Sequence, residues 1–183
     1  MSVQTEEILH RIEAKKYIQK EQMISFFDSL EAVQVEEMSG TWKGKEVLTG
    51  HSIEGLLDEL GWFGKRFDHP DSVHPLLFES KNGKVLSINP VWFPMDRLIK
   101  RFDQGLKLDF LTGVARFLLP FFETVTGTAR LRMVEFRGKA TATMIYDKLP
   151  IHDHFRRIDD HTLLGWMDLK GQRQPYFFIL YTF

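Results

Sequence analysis

The 183-residue chain contains no cysteine. That excludes disulfides, thiolate metal sites and a cysteine nucleophile, and it fits a reducing compartment. An excess of one charge is also missing. Lys and Arg number 24 against 25 Asp and Glu, a net charge of −1, so there is no bulk electrostatic case for a nucleic-acid partner. No apolar run approaches the roughly 18 residues needed to span a bilayer. The N-terminal MSVQTEEILHRIEAKK has no basic start followed by an apolar core, so it does not read as a secretory signal. A cytoplasmic protein is expected. There is no GxSxG elbow, no GxGxxG and no P-loop, which leaves nucleophilic serine chemistry and nucleotide binding without support.

What is present points to one domain with a large aromatic core. Sixteen phenylalanines stand in a chain that is 43% hydrophobic and 27% charged, ordinary values for a globular protein. The spacing of Ile8, Leu9, Ile12 and Tyr17, with Thr5 as cap, predicts a helix over 5–19. A second helix is expected over 21–32 and a third over 53–60. Residues 40–49 read as extended, and 76–79 and 84–88 as a hairpin turning at Asn82-Gly83. The stretch DFLTGVARFLLPFFETV has helical spacing and reads as one or two short helices bent at Pro120. After Gly127, five short strands rich in branched and aromatic residues follow at regular spacing. Turn signals such as Arg137-Gly138-Lys139 and Leu149-Pro150 separate them, the pattern of an antiparallel meander. The expectation is a mainly β, α+β chain: helices over 1–33 packed on a single barrel domain over 34–183. Within it, about 34–90 form the first part and about 127–183 the meander.

The segments SGTWKG and TGHSIEGLLDELGWFGKRF, followed by the long block ARLRMVEFRGKATATMIYDKLPIHDHFRRIDDHTLLGWMDLKG, carry a resemblance. The first two resemble the GXWXG-motif family of mainly bacterial proteins. The last resembles the domain of unknown function that usually follows it, so the likeness runs from about Phe27 to Gly171. The resemblance implies no assigned activity or catalytic residue. The motif is also similar to that of lipocalins and fatty-acid-binding-like barrels, so it implies an antiparallel calycin-like barrel enclosing an apolar ligand. The helix-rich middle, roughly 90–126, is what a plain barrel does not need, and it reads as a helical insertion or lid.

Candidate binding residues follow from alternation. On a strand, Gly40, Trp42 and Gly44 face one way, leaving room for the indole to lie across neighbouring strands. Burying it contributes on the order of 3 kcal/mol. Trp42 is therefore first of all a plug at the closed end, and secondarily a ligand contact. His51, at a strand end before a helix, can face a cavity mouth, with Trp62, Lys65 and Phe67 on the same rim. Arg130 and Arg132 share a strand face with Val134 and Phe136. Inward, with Tyr146 beside them, they would hold a carboxylate or phosphate head group; outward, they are solvated. His152, His154 and His161 offer imidazoles, but not at an established metal-ligand spacing, and no metal or other cofactor is assigned. Phe117–Phe122 reads as core packing, a dimer contact or a transient membrane-surface contact.

Two functions stand at this point. One is a binding protein for a fatty acid, lipid or isoprenoid-like molecule. The other is a barrel enzyme, isomerase or hydrolase-like, using His51 or a buried carboxylate. A haem or metal binder is a third.

Overall fold

The computed structural model describes residues 3–80, 82–92 and 116–182. Two helices lead, α1 over Val3–Glu13 and α2 over Lys20–Ser29, then a two-residue strand β1, Glu31–Ala32. The first strand of the barrel, β2, spans Gly40–Glu46, and a short helix α3, Leu56–Leu60, follows it. Next come β3 (Trp62–His69), β4 (Ser72–Glu79) and the short β5 (Val85–Ser87). The meander is β6 (Ala129–Phe136), β7 (Lys139–Tyr146), β8 (Ile151–Asp159), β9 (Thr162–Leu169) and β10 (Tyr176–Tyr181).

Eight of these strands close on themselves. Going round the wall, the order is β8, β7, β6, β4, β3, β2, β10, β9, with β9 pairing back to β8, every pairing antiparallel. Closure removes the free edges that an open sheet would expose. β1 and β5 hang on β8 and β4 as short extensions. The thinnest joint is β4 to β6, where only Val73 and Ala129 pair. Backbone bonds from Thr128 to Val73 (2.9 Å) and from Leu131 to Pro70 (2.7 Å) reinforce it.

Two apolar cores result. One fills the barrel with inward residues such as Trp42, Phe67, Leu131, Phe155 and Phe178. The other lies outside the wall, where Ile8, Ile12, Met23, Phe26 and Phe27 of the two helices cover Leu164, Phe177 and Ile179. A hairpin clamps the helices down. Arg137 and Gly138 both take positive φ (51° and 77°), joining the paired Phe136 and Lys139 in a two-residue turn whose twist suits the strands. At its tip Arg137 grips Asp28 of α2 with two bonds of 2.6 Å, and the guanidinium holds the Asp28 carboxyl below its usual pKa.

Several boundaries differ from expectation. The first helix stops at Glu13 rather than residue 19, because Lys15 turns to φ 49° and Ile18 bonds instead to the Leu48 carbonyl at 2.9 Å. Strand β3 was not expected. Its register shifts between Trp62 and Gly64 and again between Gly64 and Arg66, and such bulges erase the alternation by which a strand is recognised. Of the expected helical middle, residues 93–115 lie outside the described residues. The part that is described ends in a single 3-10 turn over Leu119–Phe122. There Leu119 is buried, Phe122 packs against the barrel core, and Phe117 and Phe121 are exposed. Among the described residues no helix is long and apolar enough to cross a membrane.

Candidate functional site

The 3-10 turn Val35–Met38 leads into β2, and the Trp42 indole N–H donates to the Met38 carbonyl at 2.9 Å. Trp42 and Met38 are both barrel core, and Trp42 is not among the residues lining the cavity described below. The second motif glycine serves a different ring. A Cβ on Gly44 would lie 2.4 Å from the Trp62 indole, and one on Gly165 would lie 2.3 Å from the Phe178 ring. Two glycines, on β2 and β9 either side of β10, therefore admit two large aromatics into the lumen, where they meet edge to face at 5.8 Å.

Between those rings lies a charge pair. The Lys65 ammonium reaches Asp153 at 2.8 Å, with both side chains at most 3% exposed. Going round the wall from β3 to β8 takes four strand steps in either direction, so the pair crosses the lumen from opposite walls. Lys65 also donates to the Pro75 carbonyl at 3.1 Å. Its ammonium stands 4.8 Å from the Phe178 ring centre, 5.6 Å from Trp62 and 5.9 Å from Tyr146, distances at which ring faces attract a cation. Asp153 is less well served. Its Oδ1 is buried with no hydrogen-bond partner among the described residues. Burial pushes the carboxyl pKa up, against the opposing pull of Lys65. The Tyr146 hydroxyl is likewise held well above its ordinary pKa, by burial and then by Asp153.

A cavity of about 30 Å³ opens beside this pair, lined by Lys65, Asp153, Tyr146, Trp62, Phe178 and Tyr176, with Ile53 and Leu57 from the α3 region and with Pro90 and Leu149. That is room for about two or three waters. Beside α3, the Tyr176 hydroxyl donates to Glu46 at 2.5 Å, and the Asp58 backbone N–H donates to the other carboxylate oxygen at 3.0 Å. Glu46 is nonetheless pushed up to about pH 7, because burial outweighs those bonds. His51 sits behind this wall. Its Nδ1 accepts from the Ile53 N–H at 3.3 Å, and its ring packs against Tyr176 at 5.4 Å.

The residues singled out in the sequence therefore separate. Trp62, Lys65 and Tyr146 meet at the cavity. Phe67 is core, edge-on to Phe155 at 5.9 Å. Arg130 and Arg132 are corrected as ligand contacts: both are exposed on the outer face of β6, facing Asp147 at 3.5 Å and Asp71 at 2.6 Å. Alternation from the inward Ala129 and Leu131 places them there. His161 is separate from the other two histidines, its Nδ1 3.4 Å from the Thr182 hydroxyl. His154 is buried on the outer face of the wall and stacked on Phe136 at 3.7 Å. Burial, then His152 and Arg156, push its pKa down to about 3. Sequence reasoning passed over Asp153 as a cavity residue. The signal was available, since alternation that sends His152 and His154 one way sends Ile151, Asp153 and Phe155 the other, a lone carboxylate on an apolar face.

Comparison with known proteins agrees with this architecture. The chain matches the family described as GXWXG protein over residues 25–83 and the Domain of unknown function (DUF4334) over residues 127–182. A solved structure described as a protein from Thermomonospora curvata is 32% identical, with a TM-score of 0.73, over 100% of this chain and 99% of that one. No curated protein matches. The chain belongs to the GXWXG family, with the domain of unknown function DUF4334 as its C-terminal part.

Proposed function

We propose that this barrel binds a small apolar molecule bearing a hydroxyl group, of the isoprenoid-alcohol or fatty-alcohol kind. The observation that carries the reading is the unmet Oδ1 of Asp153 beside an aromatic cavity. A buried acceptor without a donor costs about 1–3 kcal/mol, and a ligand hydroxyl relieves that cost. The apolar lining removes the rest of the molecule from water, as in small-molecule sites generally. A carboxylate suits the site less well. Lys65 is already matched by Asp153, so a second carboxylate brings two negative charges together in a poorly solvated space. The volume favours a compact group at the Asp153 end, and a long tail requires the wall around Pro90 and Leu149 to open.

Native mass spectrometry of the purified chain, incubated with alcohols, acids and phospholipids of matched chain length, tests the reading. Retention of an alcohol supports it. A bare mass after every incubation overturns it.

The same Asp153 oxygen favours a second reading, in which the carboxylate acts as a general base on the bound molecule. Chromatography of the recovered ligand separates the two. An unchanged ligand supports binding alone, whereas a product formed by the native chain but not by Asp153→Asn supports catalysis.

A further inference from the structure

Outside the barrel wall, His152 and His154 stand two apart on β8, and His152 pairs with Asp168 of β9. Each of the three offers one ligand atom within 4.8 Å of the other two. The pattern is independent of the cavity, since these side chains lie on the opposite face of β8 from Asp153.

The hydrogen bonds around His154 are compatible with a free Nε2. The Thr143 hydroxyl donates its one proton to the Thr141 carbonyl at 3.2 Å. With Thr143 as the acceptor from His154 Nδ1, 2.9 Å away, the ring proton sits on Nδ1 and Nε2 offers its lone pair. That Nε2 is buried without a partner among the described residues, on a side chain only 2% exposed. An imidazole whose far N–H is held by an oxygen while the other nitrogen is left bare is the arrangement seen in metal-ligating histidines. Stacking on Phe136 at 3.7 Å with 3° between the planes holds the ring in place. Arg156, next on this face, is committed to the Phe136 carbonyl at 2.7 Å and to the Phe27 ring at 4.9 Å.

We propose that His152, His154 through Nε2, and Asp168 form a binding site for a divalent late first-row transition metal, zinc being the probe of choice. Two imidazoles and a carboxylate are a donor set suited to such ions and poorly suited to magnesium or calcium. Ligation at about 2.0–2.1 Å draws the three atoms closer than they stand. His152 and Asp168, the less buried pair, supply that movement while His154 stays fixed. With three protein ligands the metal keeps a position open to water, on the solvent side where Asp168 is exposed.

Calorimetric titration of the chelator-treated full chain with zinc chloride tests the site. Cobalt chloride, followed by visible absorption, reports the coordination geometry. The expected results are one zinc per chain and a tetrahedral or five-coordinate cobalt spectrum. His152→Ala and Asp168→Asn, both at the less buried positions, remove the cobalt spectrum and saturable zinc binding. Thr143→Ala weakens zinc about 10–100-fold, and His161→Ala leaves it unchanged. No saturable binding by the native chain overturns the proposal. So does binding that survives both His152→Ala and Asp168→Asn, or binding that His161→Ala abolishes.

Discussion

Lys65 and Asp153 meet at 2.8 Å across the middle of the barrel, each from the wall opposite the other. A tie of this kind carries a stability consequence. Removing one partner leaves a buried, unmatched charge, which costs about 3–5 kcal/mol. Lys65→Met and Asp153→Leu should each be destabilised by about that much in urea unfolding. Replacing both together removes the charge rather than orphaning it, so the double variant should recover most of the loss. Ligand retention should not return with stability, because the acceptor oxygen is gone.

Glycines of β2 and β3 are predicted to be intolerant for two different reasons. At Gly44 an added methyl meets the Trp62 indole at 2.4 Å, and overpacking of this sort costs about 1–3 kcal/mol. At Gly64 it meets the Trp42 carbonyl oxygen at 2.0 Å, and φ is +146°. Backbone cannot step aside as a side chain can. Gly64→Ala should therefore lower the thermal midpoint more than Gly44→Ala, as differential scanning calorimetry will read.

Glu46 gives the barrel a pH dependence of defined sign. Its pKa rises from 4.5 to about 7 on folding, so the folded chain binds the proton more tightly than the unfolded one. Its contribution to stability is full below about pH 4.5, falls as pH rises towards 7, and is lost above that. The difference amounts to roughly 3 kcal/mol at most, at about 1.36 kcal/mol per unit. His154, with its lowered pKa, acts in the opposite sense between about pH 3 and 6.5. The comparison is therefore native chain against Glu46→Gln. Urea midpoints at pH 5 and pH 8 should show the native chain losing stability relative to the variant at the higher pH.

Arg130 and Arg132 form exposed pairs with Asp147 and Asp71, and Arg132 also donates to the Leu131 carbonyl at 2.7 Å; exposed pairs contribute about 0–1 kcal/mol. Arg130→Ser and Arg132→Ser should leave the melting temperature nearly unchanged. Uptake of an alcohol ligand should be unchanged too, which distinguishes this site from a carboxylate-clamping barrel.

The meander was legible because its five strands keep their alternation and its turns carry their own chemistry, Arg137-Gly138 above all. A barrel was expected through the resemblance, but the joints that close it were not legible, since β10 pairs with β2 and β6 with β4, strands far apart in the chain that no local pattern connects. Strand β3 was hidden for a local reason. The bulges around Gly64 bring Trp62 and Lys65, three apart, to the same lumen, and a period of three does not read as a strand. Lys65 was nonetheless picked out as a rim residue, but its partner on β8 lies 88 positions away and only tertiary structure brings the two together. The motif Gly40-Thr41-Trp42-Lys43-Gly44 misleads in an instructive way. Its tryptophan packs in the barrel core against the Met38 carbonyl, while Gly44 makes room for a different tryptophan, Trp62, at the site.

The most direct test of the account is the affinity for a matched alcohol and acid, geraniol and geranic acid, measured by calorimetry on the native chain at pH 8. The two probes share one apolar body and differ at the group placed against Asp153. The account predicts that the alcohol binds at least about tenfold more tightly, a difference of about 1.4 kcal/mol, and that Asp153→Leu abolishes the preference. Equal or tighter binding of the acid, or no binding of either, contradicts it.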